Sequence, residues 1–153
     1  WTDVPGEIQM IVDNKQILGT IGEKIVANYM SRIGRIVEVA IDPFDSTKDM
    51  KVNGKSLEVK TQVPYIIKKG FTIKPNQLQK CLNADHFVIV QAPCTHLDEA
   101  AILSIRKGFK YELTKMKNGD ERYLIPWDQE AVVKKMDIVG EEKELLRKYS
   151  TNY

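Results

Sequence analysis

The sequence predicts an α/β sandwich built around one mixed sheet, and three observations predict it. A long segment with helical apolar spacing comes first, and three short β-branched runs separated by turn signals follow it. A second short helix then leads into a continuous apolar run. Strands and helices in that order bury their apolar faces best as a sheet with helices packed on it. At 153 residues the chain has the size of one domain with a continuous core. A single domain over 1–153 is therefore expected, with its core at about 16–92 and additions over 93–153.

In residues 16–33, Ile17, Ile21, Ile25, Tyr29 and Ile33 recur every four positions, and Leu18, Val26 and Met30 widen the stripe. That is the pattern of an amphipathic helix. Gly34 ends it, because glycine takes the left-handed cap position without a Cβ penalty. Residues 35–41 alternate and are rich in β-branched side chains, so they form a strand, which Pro43 closes. Two further strands flank Asn53-Gly54, the dipeptide that best suits a two-residue hairpin, and the second runs over about 56–63. A basic, irregular connection over 64–70 leads to Pro75, well placed to open a helix reaching Asn83 with Leu78 and Leu82 facing inward. Residues 86–92 have the unbroken apolar character of a buried strand. Beyond them, 109–116 and 122–125 flank Asn118-Gly119 as a second hairpin. Residues 129–136 and 141–149 read as short terminal helices, the last highly charged.

Composition excludes more than it assigns. Hydrophobic residues at 42% and charged residues at 29% describe a globular chain and not a disordered one. A net charge of +2, from 23 basic and 21 acidic residues, is too balanced to point to nucleic acid. No apolar run approaches the roughly 20 residues that span a bilayer, so no membrane is expected. The chain opens on Trp1 without a basic-then-apolar leader, and an upstream segment is allowed for. Cys81, His86, Cys94 and His96 are irregularly spaced for zinc, and Cys81 reads instead as a buried helix residue. Two unpaired cysteines without a signal lead to the expectation of a reducing, cytoplasmic setting.

The hairpin carries the chemistry. A two-residue loop at Asn53-Gly54 pairs Val52 with Lys55, Lys51 with Ser56, Met50 with Leu57 and Asp49 with Glu58. Opposite residues share a face, with Cβ atoms about 4.5–5.5 Å apart. Two facing carboxylates repel unless a cation or a proton lies between them, and a divalent ion with oxygen ligands resolves the conflict. Alternation sends Leu57, Val59 and Val63 to the core and Glu58, Lys60 and Gln62 to the other face. Taken alone, such a face suits a solvated strand better than a site; the hairpin register and the flanking architecture turn the reading towards a site.

The run from Asp49 through Asn53-Gly54 to Glu58-Val59-Lys60 resembles the catalytic signature of the PD-(D/E)XK nuclease superfamily, which has the restriction-endonuclease-like fold. The order of a helix carrying Glu23, three strands, a helix and a strand resembles its αβββαβ core, over roughly 16–92. The resemblance implies that Asp49 and Glu58 coordinate Mg²⁺, with Mn²⁺ as a substitute and the Val59 backbone carbonyl as a further ligand. It implies that Lys60 orients or activates the attacking water and stabilises developing charge. Gln62 resembles an additional polar residue of some branches, and Glu23 an acidic helix residue that touches a metal or its water. Glu23 also suits an ordinary surface position at the margin of the helix stripe. The literal Pro-Asp pair is absent: Pro43 precedes Phe44-Asp45, and Asp49 follows Lys48. Asp45 is thus a rival first ligand, and the hairpin pairing favours Asp49.

The implied activity is Mg²⁺-dependent endonucleolytic cleavage of DNA, of a homing, restriction-like or junction-resolving kind. An endoribonuclease and a non-catalytic nucleic-acid-binding module are the alternatives. Double-strand cleavage calls for two active sites, so a homodimer is expected. Lys68, Lys69, Lys74 and Lys80, with Tyr65 and Phe71 interleaved, suit a phosphate backbone and base stacking, or else form a solvated basic connection. Arg106, Lys107, Lys110, Lys115 and Lys117 could extend this surface, and Trp127 reads as a core anchor.

Overall fold

In the computed structural model of the protein, residues 14–41, 48–62, 70–93, 98–126 and 131–150 are described. The described elements are helices α1 (Asn14–Arg32), α2 (Pro75–Asn83) and α3 (Gly140–Ser150) and nine strands. The strands are β1 (Val37–Ile41), β2 (Lys48–Val52), β3 (Lys55–Gln62), β4 (Gly70–Ile73), β5 (His86–Gln91), β6 (Ala101–Ile105), β7 (Glu112–Lys115), β8 (Glu121–Pro126) and β9 (Val132–Asp137).

Local chemistry sets several of the boundaries. Gly34 takes φ +84°, its N–H donates to the Ser31 carbonyl, and the Arg35 N–H donates to the Met30 carbonyl. That pair of bonds is a Schellman cap and stops α1. Asn53 and Gly54 both take positive φ, 51° and 78°, the backbone a type I′ hairpin turn requires. The Asn53 side chain also accepts from the Ile36 N–H at 2.9 Å, so the same residue ties the turn to the start of β1.

The strands form a six-stranded sheet in the order β1-β2-β3-β5-β6-β9 and a three-stranded sheet in the order β4-β8-β7. Only β3 and β5 run parallel among the described pairs, so the large sheet is mixed. Both of its faces are covered. Leu18, Ile25 and Val26 of α1 and Leu146 of α3 pack on one face with Leu57, Val88, Val90 and Ile102. Leu78 and Cys81 of α2 pack on the other with Phe87, Ile89 and Leu103, beneath Phe71, Ile73 and Ile125 of the small sheet. Burial on both faces explains why Phe87, Val88, Ile89 and Val90 are apolar without alternation, while His86 at the start of the strand is exposed. Ile102, Met136 and Leu146 belong to the same buried cluster as Leu18 and Leu57, so the C-terminal third completes the core begun by the first half.

Two expectations are corrected. Residues 132–137 form strand β9 and not part of a helix over 129–136; Ala131 before it is a turn residue, and 129 and 130 lie outside the described residues. Val132, Val133 and Met136 have a spacing that a helix also tolerates; the free edge of β6 decides the matter by pairing Ile102 with Met136 and Leu103 with Lys135. Phe71 is buried in the second cluster, 1% exposed, and so cannot stack on a base. Strands β4 and β6, unassigned by pattern, join their sheets through tertiary pairing. The helix expected at 141–149 is present as α3, and the second hairpin as β7 and β8. Pro43 and Trp127 lie outside the described residues. No described helix is long and apolar enough to cross a membrane.

Helix α1 crosses β3 closely at Gly22, where an added Cβ would lie 1.8 Å from the Thr61 hydroxyl oxygen. At Gly19, one turn earlier, an added Cβ would meet nothing within 4 Å. Gly22→Ala is therefore expected to destabilise by about 1–3 kcal/mol through overpacking. Gly19→Ala is expected to stabilise by up to about 1 kcal/mol through helix propensity. Thermal melts followed by circular dichroism check both; equal shifts would refute the close crossing.

Candidate functional site

The polar face of β3 is assembled against α2. Alternation turns Leu57 and Val59 towards the first core cluster, and Glu58, Lys60 and Gln62 towards the second layer. Helix α2 buries Leu78 and Cys81. Gln77 and Lys80, one turn apart on its flank, reach the strand.

Glu58 is the centre of this arrangement, its side chain only 12% exposed. Lys60 Nζ lies 3.1 Å from one carboxylate oxygen, and Lys80 Nζ lies 4.0 Å from the other. Lys60 Nζ also donates to the Gln77 side-chain oxygen at 3.0 Å. Cys81 adjoins the same charges. Burial pushes its thiol up to about 11 from 9.0, with Lys60 and Lys80 pulling down and Glu58 pushing up. Gln62 is spent on architecture: its side chain accepts from the Thr72 N–H at 3.0 Å and donates to the Thr72 carbonyl. It thereby clamps β4 to the end of β3.

The β2–β3 ladder confirms the expected register at Val52↔Lys55, Lys51↔Ser56 and Met50↔Leu57, and ends there. Asp49 and Glu58 are not partners in it. Beyond Leu57, β3 follows β5 over the pairs from Leu57↔His86 to Gln62↔Gln91. Strand β2 meanwhile stays with β1, where Asp49 pairs with Ala40. Each strand keeps its own neighbour, and the hairpin arms part, as twisted strands readily do. The Ser56 N–H donates to Asp85 and the Gln62 carbonyl accepts from the Ala92 N–H, both on the β5 side. Peptide directions alternate along a strand, so the Val59 peptide faces the β2 side, where the arms separate.

Glu23 is half-buried and follows Gly22, the residue of close approach to β3. Lys74 is exposed and caps the start of α2. The Asp49 side chain lies outside what the structure describes, as do Asp45, Tyr65, Lys68, Lys69, Cys94 and His96. Gln77 escaped the sequence reading. Its one signal was a position three residues before Lys80 on a predicted helix, which marks a shared face and no more. At the C-terminal end of α2, a cavity of about 210 Å³ is lined by Leu82, Phe87 and Phe109, with Arg106 and Lys107 among its polar groups.

The Glu58 carboxylate and the Val59 carbonyl are oxygen donors, the chemistry a hard divalent cation takes. Among the described residues no three His, Cys, Asp or Glu side chains gather, and Glu58 is the acidic member of the cluster with Lys60 and Lys80. Comparison with protein-family models, curated proteins and solved structures finds no match for this chain.

The raised Cys81 thiol has a stability consequence. The folded protein keeps this proton up to about pH 11, whereas the unfolded chain releases it near 9.0. Its contribution is fully present below pH 9.0 and is lost as pH rises towards about 11, on the order of 2 kcal/mol. In urea melts at about pH 8 and about pH 10.5, the stability gap between the unsubstituted protein and Cys81→Ala should narrow at the higher pH. A constant gap would show that the thiol does not titrate in this window.

Proposed function

We propose that this chain is a Mg²⁺-dependent endonuclease of the PD-(D/E)XK, restriction-endonuclease-like class, hydrolysing phosphodiester bonds in DNA. The observation that carries the reading is the contact of Glu58 with Lys60 on a half-buried face of β3, at the point where β2 and β3 part. The element order supports it: α1, three antiparallel strands, then, after the inserted strand β4 of the small sheet, α2 and the strand β5 parallel to β3.

In this reading Asp49, Glu58 and the Val59 carbonyl hold the ion. When bound, Mg²⁺ supplies Lewis-acid polarisation of the scissile phosphate and lowers the pKa of a bound water. Lys60 acts as a donor. An ammonium carries three N–H groups; Glu58 and Gln77 fix two directions, and the third serves the attacking water or a phosphate oxygen. Gln77 positions Lys60, and Gln62 holds the second layer in place over the site. Glu23 reaches the end of β3 from α1. Lys68, Lys69 and Lys74 bind the backbone of the nucleic acid, two copies of the chain acting together on the two strands of a duplex in the cytoplasm.

The test is cleavage of supercoiled plasmid. Activity should require Mg²⁺ or Mn²⁺, disappear in EDTA, and stay absent in Ca²⁺, which accepts oxygen ligands in looser coordination. Lys60→Ala should lose activity by on the order of a hundredfold while keeping its melting temperature. Glu58→Ala should lose the metal-dependent activity altogether. Undiminished cleavage in EDTA, or a fully active Lys60→Ala protein, would overturn the proposal.

A further inference from the structure

Glu58 meets two lysines from different elements. Lys60 comes from its own strand and lies at 3.1 Å, while Lys80 comes from α2 and lies at 4.0 Å. The trio carries one positive charge in excess, on side chains that are 12% to 33% exposed. A partly desolvated excess cation is a place for an anion to bind. The two lysines are also unequally held. Lys60 has a second anchor in Gln77, so it keeps its position whatever happens at the carboxylate. Lys80 is tied to Glu58 at the outer limit of an ion pair, on a flexible stem from an exposed flank of the helix.

A divalent cation and Lys80 therefore compete for the same carboxylate. We propose that Lys80 binds the substrate phosphate at this site: it pairs with Glu58 in the metal-free protein and passes to the nucleic-acid backbone when a divalent cation takes the carboxylate. The inference rests on the endonuclease reading and extends it to a residue from the second layer. It assigns opposite effects to one side chain, since Lys80 hinders the ion and helps the phosphate.

The experiment uses the full chain with Lys80→Gln and Lys80→Arg, each confirmed as folded by circular dichroism. Mn²⁺ alone is titrated by calorimetry, and a fluorescent phosphorothioate duplex in Ca²⁺ is titrated by anisotropy over a range of salt. Lys80→Gln should bind Mn²⁺ about three- to tenfold more tightly, because a competing positive charge is gone. It should bind the duplex more weakly, with the slope of log K against log salt reduced by about one. Lys80→Arg should keep both the duplex affinity and the slope. An unchanged Mn²⁺ affinity, or an unchanged duplex affinity and slope, in Lys80→Gln overturns the role of Lys80 alone. Failure of the unsubstituted protein to take up Mn²⁺ overturns the endonuclease reading as well.

Discussion

A parallel pair of strands cannot be closed by a tight turn, and that constraint organises this molecule. After Gln62, at the far end of β3, the chain must return to the near end before His86 can pair with Leu57. The return carries β4 and α2 across one face of the sheet. Strand β4 is held there by the clasp of Gln62 on Thr72 and by pairing with β8, and α2 by burial of Leu78 and Cys81. The crossover turns the outer face of β3 into a partly closed compartment. Without it, Glu58 and Lys60 would be two solvated residues on an open strand.

The hairpin arms part beyond Leu57. The turn at Asn53-Gly54 sets three cross-strand pairs, beyond which β3 continues with β5 on its other edge and β2 with β1 on its own. The Val59 peptide is left facing the gap. Oxygen donors from the backbone and from Glu58 are thus delivered by one strand within two adjacent residues. On the opposite face, α1 approaches β3 without a side chain of its own between them at Gly22, against Thr61.

Charge within the compartment is balanced by geometry more than by number. One carboxylate, two ammonium groups and an amide oxygen are held by two elements whose relative placement depends on the apolar contacts beneath them. A half-buried carboxylate between two lysines is stable in the absence of other ligands. On the proposed reading it is also poised for exchange, because a divalent cation that takes Glu58 frees positive charge for an anion beside it. On the proposed reading, this exchange couples metal binding to substrate binding through side chains already in contact.

Much of this was legible in the chain. Periodicity marked α1, glycine chemistry marked its cap and the hairpin, and Pro75 marked the start of α2. Each depends on backbone preferences that act within a few residues. Alternation in β3 separated Leu57 and Val59 from Glu58, Lys60 and Gln62, because side-chain period is a property of a strand by itself. What lay beyond a few residues was not legible. Residues 132–137 became a strand because the edge of β6 was available, and Phe71 became core because the small sheet folds over the large one. Register counting past Met50↔Leu57 failed because the β2–β3 ladder ends there, while β3 continues along β5 on its other edge. Gln77 and Lys80 joined Glu58 because the crossover carries α2 over β3. The sequence by itself determined which side chains share a strand face or a helix face. Only the tertiary structure decided which faces meet, since that depends on the competition of whole apolar surfaces for burial, and local preference carries no record of it.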